Sequence, residues 1–280
     1  MALTPRLAPV DRWTLAYAVV ASAALVWHWR DPLPHPGLLA AAHLALLGLP
    51  FLASRGRRSG AVGGFLAEWY PLLVAPALYS AVGILNFAAG RSFDPLVQGW
   101  EQALFGGHPS REWIRAQPWP WLSWVLHAGY LSYYLIVAGA PLGLWLKGRR
   151  EEARRTILLM SATFYVCYVV FFFFPVAGPR YAFPPPDNDA STTAVAVLAR
   201  RLLDSAAAWG TAFPSSHVAV SLVASLQAWR AWRPLGVVLV PLAILLALGT
   251  VYGQFHYAVD SLAGAALAWV VLLGGRRRSG

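Results

Sequence analysis

The chain has 280 residues, of which 58% are hydrophobic and only 12% are charged. A soluble domain carries about 25% charged residues. This shortfall, with a mean hydropathy of +0.52, excludes an ordinary soluble protein and indicates an integral membrane protein. The net charge is +10, but the basic residues form short clusters between apolar runs. We therefore attribute the charge to membrane orientation and do not expect a nucleic-acid partner.

The apolar runs predict an all-α membrane protein with about eight transmembrane helices. A span needs about 20 apolar residues. The candidates, in chain order, are Trp13–Trp29, Gly37–Ala53, Trp69–Ala89, Trp121–Leu146, Thr156–Val176, Pro214–Trp229, Leu235–Tyr252 and Phe255–Leu273. The first run follows Arg6 and Arg12 and also fits a signal peptide. The tryptophans at its far end favour a retained helix.

Charge predicts the orientation of these helices. With both termini cytoplasmic, 15 of the 22 basic residues, including Arg276, Arg277 and Arg278, fall on the inner side. This bias agrees with the positive-inside rule. Two long connections, 90–120 and 177–212, then face outward, and loops of this length are often functional. The first contains an amphipathic piece, Pro95 to Phe105, suited to the membrane interface. The second contains a short predicted helix, Thr193 to Leu203.

Asp260 is the only carboxylate within one of these apolar runs. A charge in that position is costly, so it suggests a functional site. His256 precedes it by four residues, which on a helix places both on one face. The acid can then orient the imidazole and leave its other nitrogen nucleophilic. A purely structural His–Asp pair explains the same spacing.

A second polar group lies at the predicted outer end of the sixth helix. His217 follows Ser215 and Ser216, and Pro214 suits the first position of the helix. A helix N-terminus with serine donors favours an anion such as phosphate. Because the seventh helix returns the chain to the same side, His217 and His256 are expected to face each other.

Other outer residues are weaker candidates for the same pocket. Arg180, beside Tyr181, suits bidentate contact with phosphate, although an interfacial anchor fits equally. His127 and Tyr130 are predicted to line a headgroup pocket, or to pack between helices. The remaining histidines, His28, His35, His43 and His108, have no partner at a useful spacing. Cys167 is the sole cysteine, which excludes an intrachain disulfide and a cysteine-based metal site.

These motifs resemble the type 2 phosphatidic acid phosphatase superfamily. Phe213-Pro214-Ser215-Ser216-His217 resembles its second signature, and the run from Thr250 to Asp260 resembles its third. The resemblance implies a six-helix catalytic core in 61–280, after two N-terminal helices in 1–60, all in one membrane domain. It also implies that His256 is the nucleophile, Asp260 orients it and His217 is the acid and base. Ser215, Ser216, Arg180 and Tyr181 would bind substrate, with no metal or cofactor.

The departures from the superfamily pattern indicate a branch. The third signature usually has an arginine where this chain has Thr250. This absence, with the stretches Asp94–Leu96 and Tyr130–Tyr134, makes the chain more similar to the inositol phosphorylceramide synthase branch. That branch implies transfer of an inositol phosphate from a phospholipid to a lipid alcohol such as ceramide.

Three other functions remain open from the sequence. A lipid phosphate phosphatase would use the same residues, with water as acceptor. A proton-coupled transporter also contains buried His and Asp, though usually near the midplane. An intramembrane serine protease would need a glycine-flanked serine that is absent here. The expected location is a bacterial inner membrane with the site at its periplasmic face, and the oligomeric state is left undetermined.

Overall fold

The computed structural model describes residues 7–275, which are almost entirely helical, with one isolated bridge between Val176 and Thr211. The helices of the bundle are α1 (Pro9–Trp27), α2 (Pro36–Gly56), α3 (Ala61–Ala89), α6 (Pro120–Leu131), α7 (Tyr133–Leu146), α8 (Arg150–Phe173), α12 (Ser216–Ala231), α13 (Arg233–Tyr252) and α14 (Ala258–Gly274). The two long connections contain α4 (Asp94–Phe105), α5 (Pro109–Ala116), α9 (Pro179–Ala182), α10 (Asp189–Thr192) and α11 (Ala194–Ala206).

Each predicted span coincides with helical structure, but fewer helices are long and apolar enough to cross a bilayer. Within the described chain, α2, α3, α8 and α13 meet both criteria, and the pair α6 and α7 makes a fifth if it counts as one span. Helices α12 and α14 have 16 and 17 residues. The count of eight and the cytoplasmic termini therefore stay predictions. Arg6 and Arg276–Arg278, used to predict orientation, lie outside the described residues.

The sequence predicted the fourth span as one helix, but the structure shows two. The span breaks at Ser132 into α6 and α7, which are bent by 44°. The Ser132 hydroxyl donates to the carbonyl of Gly129 at 2.6 Å. A serine bonded back to its own helix competes with the backbone ladder, and Gly/Ser pairs are common kink sites. The apolar pattern of the sequence does not predict such a break, because hydrophobicity is the same on both sides of it.

Helix α12 lies at the centre of the bundle. It packs against α7, α8, α13 and α14, and most of its residues are buried. Its buried face is rich in alanine and serine, and small residues let helices approach closely in a membrane. The Ser225 hydroxyl, for example, donates to the Leu239 carbonyl of α13 at 3.1 Å.

The start of α12 is in direct backbone contact with α14. The Ser215 N–H donates to the Asp260 carbonyl at 3.0 Å. A Cβ added at Gly264 would lie 2.5 Å from the Ser215 carbonyl oxygen, which is closer than any real contact. Glycine at 264 is therefore required for α14 to lie against the end of α12.

The two N-terminal helices are tied to the bundle by a buried ion pair. Asp11 of α1 is fully buried and accepts from Arg57 at the end of α2, with an Nη2–Oδ1 distance of 2.8 Å. The Tyr70 hydroxyl of α3 donates to the same carboxylate at 3.0 Å. Tyr17 stacks on Tyr165 of α8, with ring centroids 4.8 Å apart. These contacts join α1, α2, α3 and α8 into one packed unit.

Helix α4 has an exposed apolar side and a buried acidic side. Of the apolar residues predicted to share a face, only Val97 is buried, and Leu104 is 67% exposed. The inward side carries Asp94 and Glu101, which are 8% and 0% exposed. The exposed apolar side fits an interfacial helix, as the sequence suggested.

The predicted short helix Thr193–Leu203 is observed as α11, with the Thr193 hydroxyl capping it.

Replacing Gly264 with alanine is expected to lower the unfolding midpoint of the detergent-solubilised protein. The added methyl must displace α14 from the Ser215 carbonyl, and overpacking of this kind costs about 1–3 kcal/mol. That loss outweighs the gain of about 1 kcal/mol that alanine brings to a helix interior. Tryptophan fluorescence during heating measures the midpoint.

Gly139→Ala in α7 is the matched control for this substitution. A Cβ there would have its nearest neighbour at 3.7 Å, an ordinary contact, so the midpoint should stay unchanged or rise. An equal response of Gly264→Ala and Gly139→Ala would contradict the close contact.

Candidate functional site

The structure brings His217, His256 and Asp260 together where α12 and α14 begin. The ring centroids of His217 and His256 are 5.7 Å apart. The Nδ1 of His256 lies 3.4 Å from Oδ2 of Asp260. These three residues, predicted from two separate motifs, therefore occupy one site.

The pairing of His256 and Asp260 has a different origin from the one their spacing suggested. His256 is not helical: it lies in the loop between α13 and α14, two residues before α14 begins at Ala258. Asp260 is within the first turn, where its Oδ2 accepts the backbone N–H of Tyr257 at 2.8 Å. The carboxylate caps its own helix and thereby faces back toward the imidazole. The prediction that His256 and Asp260 share one helical face is therefore wrong, although their side chains do meet.

The His256 imidazole is enclosed by protein on the side of Asp260. The carbonyl of Ala212 is also close enough to accept a hydrogen bond from the ring. With the Nδ1 proton facing Asp260, the lone pair of the imidazole lies on Nε2.

His217 lies between aromatic rings at the end of a cavity. Its ring centroid is 4.5 Å from that of Tyr133 and 5.8 Å from that of Tyr130. Its Nδ1 is buried and has no hydrogen-bond partner among the described residues. The cavity, of about 580 Å³, extends from His217 and Ser216 between α3, α7, α8 and α11.

The two serines begin α12 in different roles. Ser215 is the N-cap, and its Oγ accepts the Val218 N–H at 3.4 Å. Ser216 is the first helical residue and lines the cavity. Pro214 therefore precedes the cap and is not the first helical residue that the sequence predicted. The first N–H groups of a helix lack intrahelical acceptors, so this end of α12 presents donors beside His217.

Arg180 lies in α9, where one of its terminal nitrogens is paired at the surface and the other is buried. Its Nη2 donates to Asp204 of α11, and its guanidinium lies 5.0 Å from the ring centroid of Tyr181. The other terminal nitrogen, Nη1, is buried without a partner among the described residues. The guanidinium is also near enough to Tyr79 and Tyr130, which line the cavity, to interact with them electrostatically. Tyr181 itself is 51% exposed and supports Arg180 from outside.

The remaining candidates, His127 and Tyr130, separate in the structure. Tyr130 lines the cavity, with its ring centroid 4.5 Å from that of Phe255. His127 is 3% exposed, and its Nδ1 lies 2.9 Å from the Ser123 carbonyl and 3.0 Å from the Ser123 hydroxyl. His127 does not line the cavity. Its geometry favours the alternative in which it packs between helices.

Several site residues were missed by the sequence interpretation. Asp94 accepts the Gly178 N–H, just before α9, at 2.8 Å, and Glu101 accepts the Ala258 N–H at the start of α14 at 2.8 Å. Their seven-residue spacing, with Val97 between them, marks one face of a helix. This spacing is the sequence signal that could have identified the two acids.

Two histidines that seemed to have no partner do have one. His28 Nδ1 lies 2.7 Å from Asp31, and His108 Nδ1 lies 3.2 Å from Glu101. The second pair joins α4 to the start of α5. The turn between these two helices is not helical, so a helical-spacing rule does not predict the pair.

Among residues 7–275, no group of three or more His, Cys, Asp or Glu residues is placed to hold a metal ion.

Thr250, which stands where a signature arginine was expected, has a structural role. It is fully buried, and its hydroxyl lies 3.0 Å from that of Ser261 in α14. Its carbonyl accepts the N–H groups of Phe255 and His256, at 2.9 and 3.0 Å. Thr250 thus shapes the loop that presents His256. The Nη1 of Arg180, by contrast, is buried without a partner among the described residues.

The apolar helices are typical of a membrane protein, and two imidazoles lie close together where α12 and α14 begin. The family of this protein follows from comparison: a model of the PAP2 superfamily matches residues 97–274, and the chain belongs to that superfamily. The match includes His217, His256, Asp260, Arg180 and both serines. Residues 1–96, with Asp94, lie outside it. No curated protein matches the chain significantly, and no solved structure does.

Membership supports a lipid phosphatase or phosphotransferase type of activity in general terms. The superfamily consists generally of phosphatase-type enzymes. The motif resemblance to this superfamily is thus confirmed, and the assignment to a membrane protein is supported by both the apolar helices and the family.

Introducing arginine at position 250 is expected to destabilise the protein and not to restore a signature residue. Thr250 faces Ser261 in a closed helix contact, so a guanidinium there would be buried without a partner, at a cost of several kcal/mol. Thr250→Ser keeps the hydroxyl and serves as the control. The measurement is the thermal unfolding midpoint in detergent. A Thr250→Arg protein as stable as Thr250→Ser would show that the position opens to the site.

Proposed function

We propose that this protein is an integral-membrane enzyme that transfers a phosphoryl-containing group of a lipid through a covalent His256 intermediate. The observation that carries this proposal is the pair of imidazoles, with centroids 5.7 Å apart, of which His217 lines one end of a cavity of about 580 Å³. One ring is backed by a carboxylate and the other is not. Such asymmetry suits a nucleophile on one side of a phosphorus atom and a proton donor on the other.

In the first step, His256 attacks phosphorus with its Nε2. Its Nδ1 faces Asp260 at 3.4 Å, and the carboxylate stabilises the positive charge that the ring gains. A P–N bond forms as the P–O bond to the leaving alcohol breaks. His217, in its protonated form, donates a proton to the departing oxygen and ends this step neutral.

In the second step, an acceptor hydroxyl attacks the phosphohistidine. Neutral His217 removes the hydroxyl proton as the new P–O bond forms. The P–N bond breaks, and its electrons return to His256. Both histidines then have the protonation states with which the cycle began, so the two steps balance without another reactant.

Donors around the site are suited to the charge on the non-bridging oxygens. The first turn of α12 offers Ser216 and free backbone N–H groups, and Arg180 offers its unpaired Nη1. Such groups stabilise the charge that develops during phosphoryl transfer. Ser215 holds the end of α12 as its cap, and Tyr181 supports the Arg180 guanidinium.

The cavity beside His217 supports a lipid alcohol as leaving group or acceptor. Its volume lies within the usual range for small-molecule sites, about 300–1,000 Å³. Apolar and aromatic side chains from several helices line it, including Leu72, Val137, Phe164 and Tyr168. Tyr130 lies at the His217 end, where a headgroup would meet the apolar walls.

We further propose that the transferred group is a headgroup phosphate such as inositol phosphate, moved from a phospholipid to a lipid alcohol such as ceramide. The reason is the low number of basic groups, since Thr250 replaces an arginine and Arg180 is shared with Asp204. A phosphodiester monoanion needs less positive charge than a phosphomonoester dianion. Lipid phosphate phosphatase activity, with water as acceptor, is the competing proposal.

The proposed setting is a bacterial inner membrane, with the site at the periplasmic face and both termini in the cytoplasm. Residues 61–280 would form the six-helix catalytic core, and 1–60 two accessory helices. A proton-coupled transporter is disfavoured because His217 is the second residue of α12 and His256 precedes α14. Both lie at helix ends and not within the helices. The lipid substrates are the proposed partners.

Substituting each histidine separately tests the two-step mechanism. With a labelled phosphodiester donor that has a good leaving group, His256→Ala should form no phosphohistidine. His217→Ala should form the adduct but release it about 10²–10⁴ times more slowly, because it lacks the base for the second step. Intact-protein mass spectrometry detects the adduct at the mass of the transferred group.

His127→Ala is the matched control, because this histidine bonds to its own helix and not to the site. It should form and release the adduct at rates close to those of the unsubstituted protein. An adduct that persists in His256→Ala, or that is absent from every protein tested, would sink the mechanism.

Product analysis distinguishes transfer from hydrolysis. Purified protein in mixed micelles is expected to convert a phosphoinositide donor and ceramide into a phosphorylated ceramide product, with little free phosphate from phosphatidic acid. Lipid mass spectrometry of cells with and without the gene, repeated with His217→Ala, gives the same comparison in the membrane. Release of free phosphate from a phosphomonoester, without any transferred headgroup, would favour the phosphatase.

A further inference from the structure

The turn that carries Arg180 is held at its start by a buried carboxylate. Asp94 Oδ2 accepts the Ala177 N–H at 2.7 Å, and Oδ1 accepts the Gly178 N–H at 2.8 Å. Gly178 has φ of +100°, a conformation that glycine adopts without strain. The direction in which the chain enters α9, and thus the position of Arg180, depends on these two bonds.

The same carboxylate reaches the residue that follows His256. The Tyr257 hydroxyl donates to Asp94 Oδ1 at 2.9 Å and accepts from Gln98 at 3.0 Å. Burial and the neighbouring Asp94 raise the pKa of Tyr257, so its hydroxyl remains a donor. Asp94 therefore connects the start of the Arg180 turn to one side of His256.

The other end of the turn is held by a residue on the opposite side of His256. Gln254 Nε2 donates toward three carbonyl oxygens, those of Pro184 at 3.1 Å, Phe183 at 3.3 Å and Pro179 at 3.4 Å. Its Oε1 accepts from Arg115 at 2.8 Å. Because Oε1 is occupied by a donor, the amide nitrogen must face the carbonyls.

The backbone of Gln254 supports a special role for this position. Its φ is +61°, a region that side-chain-bearing residues rarely adopt and that costs about 1 kcal/mol or more. The side chain is 3% exposed. Strain of this kind persists where surrounding contacts require it. Here this backbone conformation lets the Gln254 amide, in the His256 loop, reach the carbonyl oxygens of the Arg180 turn.

We propose that Asp94 and Gln254 are positioning residues that hold the Arg180 turn at both ends against the residues flanking His256. The inference rests on the proposed function, since it assigns Arg180 to an oxyanion opposite His256. The two contacts fix the separation between the group that binds the phosphate oxygens and the group that attacks phosphorus. A displacement of about 1 Å between such groups can cost about 10²-fold in rate.

A double-mutant cycle on the full-length protein in detergent tests this inference, with orthovanadate as an oxyanion probe that needs no donor lipid. Gln254→Glu keeps the acceptor for Arg115 but places a carboxylate oxygen against the three carbonyls, which should release the turn. We expect orthovanadate affinity to fall about tenfold. In the Arg180→Ala background, the same substitution should change the affinity less than twofold, because Gln254 acts through Arg180.

Gln227→Glu is the matched control. Gln227 is also buried, and its Oε1 also accepts from an arginine, Arg230, at 3.4 Å. It lies at the opposite end of α12 from His217. This substitution should leave orthovanadate affinity unchanged. Thermal unfolding of each variant establishes that the compared proteins are folded.

Asp94→Asn provides a second arm that does not depend on Gln254. An amide cannot accept hydrogen bonds at both ends, so one of the Ala177 and Gly178 N–H groups loses its partner. This variant should show the same loss of orthovanadate affinity and the same dependence on Arg180. Tyr257→Phe leaves both backbone bonds and should weaken binding less than Asp94→Asn does.

The outcomes separate this inference from the proposed function. Equal effects of Gln254→Glu and Asp94→Asn with and without Arg180 would overturn the positioning role, even in an active enzyme. An unsubstituted protein that binds no orthovanadate would overturn it as well. A protein that follows the expected cycle but transfers nothing from any phospholipid would retain the positioning role and lose the proposed reaction.

Discussion

The site depends on the backbone contact between the start of α12 and the start of α14. The Ser215 N–H meets the Asp260 carbonyl at 3.0 Å, and Gly264, one turn later, lets the helices close to backbone distance. His217 lies two residues beyond one partner, and His256 lies four residues before the other. Since both helix starts are fixed by one contact, the separation of the two imidazoles follows from main-chain geometry and not from flexible side chains.

A second layer of buried carboxylates surrounds this contact and organises the loops above it. Asp94 and Glu101 extend from one face of α4 to backbone N–H groups of the Arg180 turn and of α14. A carboxylate without donors would be costly in an apolar surrounding, and each of these has several. The opposite face of α4 is apolar and exposed. The helix thus joins a surface suited to the bilayer interface with the polar frame of the site.

The sequence predicted the parts of this structure that depend on hydrophobicity and on local motifs. The eight apolar runs coincide with helices, and the motifs around His217 and His256 meet. The break at Ser132 was missed because a serine bonded back to its own helix does not alter the apolar pattern. Asp94, Glu101 and Gln254 were missed because each bonds to a backbone group far along the chain, at separations of 84, 157 and 70 residues. No local spacing rule describes such contacts. Local rules also failed at single residues: Pro214 precedes the helix cap and does not begin the helix, and His28 does have a partner, Asp31.

The distribution of charge around the site bears on which phosphoester it would accept. Asp94 and Glu101 lie close enough to Asp260 to interact with it electrostatically, so three acidic groups cluster near His256. The charge of Arg180 is shared with Asp204. A phosphomonoester dianion would bring two negative charges toward this surplus, whereas a diester brings one. In a desolvated site each unpaired charge is expensive, and this difference is the physical basis for proposing a diester. The same acids would stabilise the positively charged ring of the proposed covalent His256 intermediate.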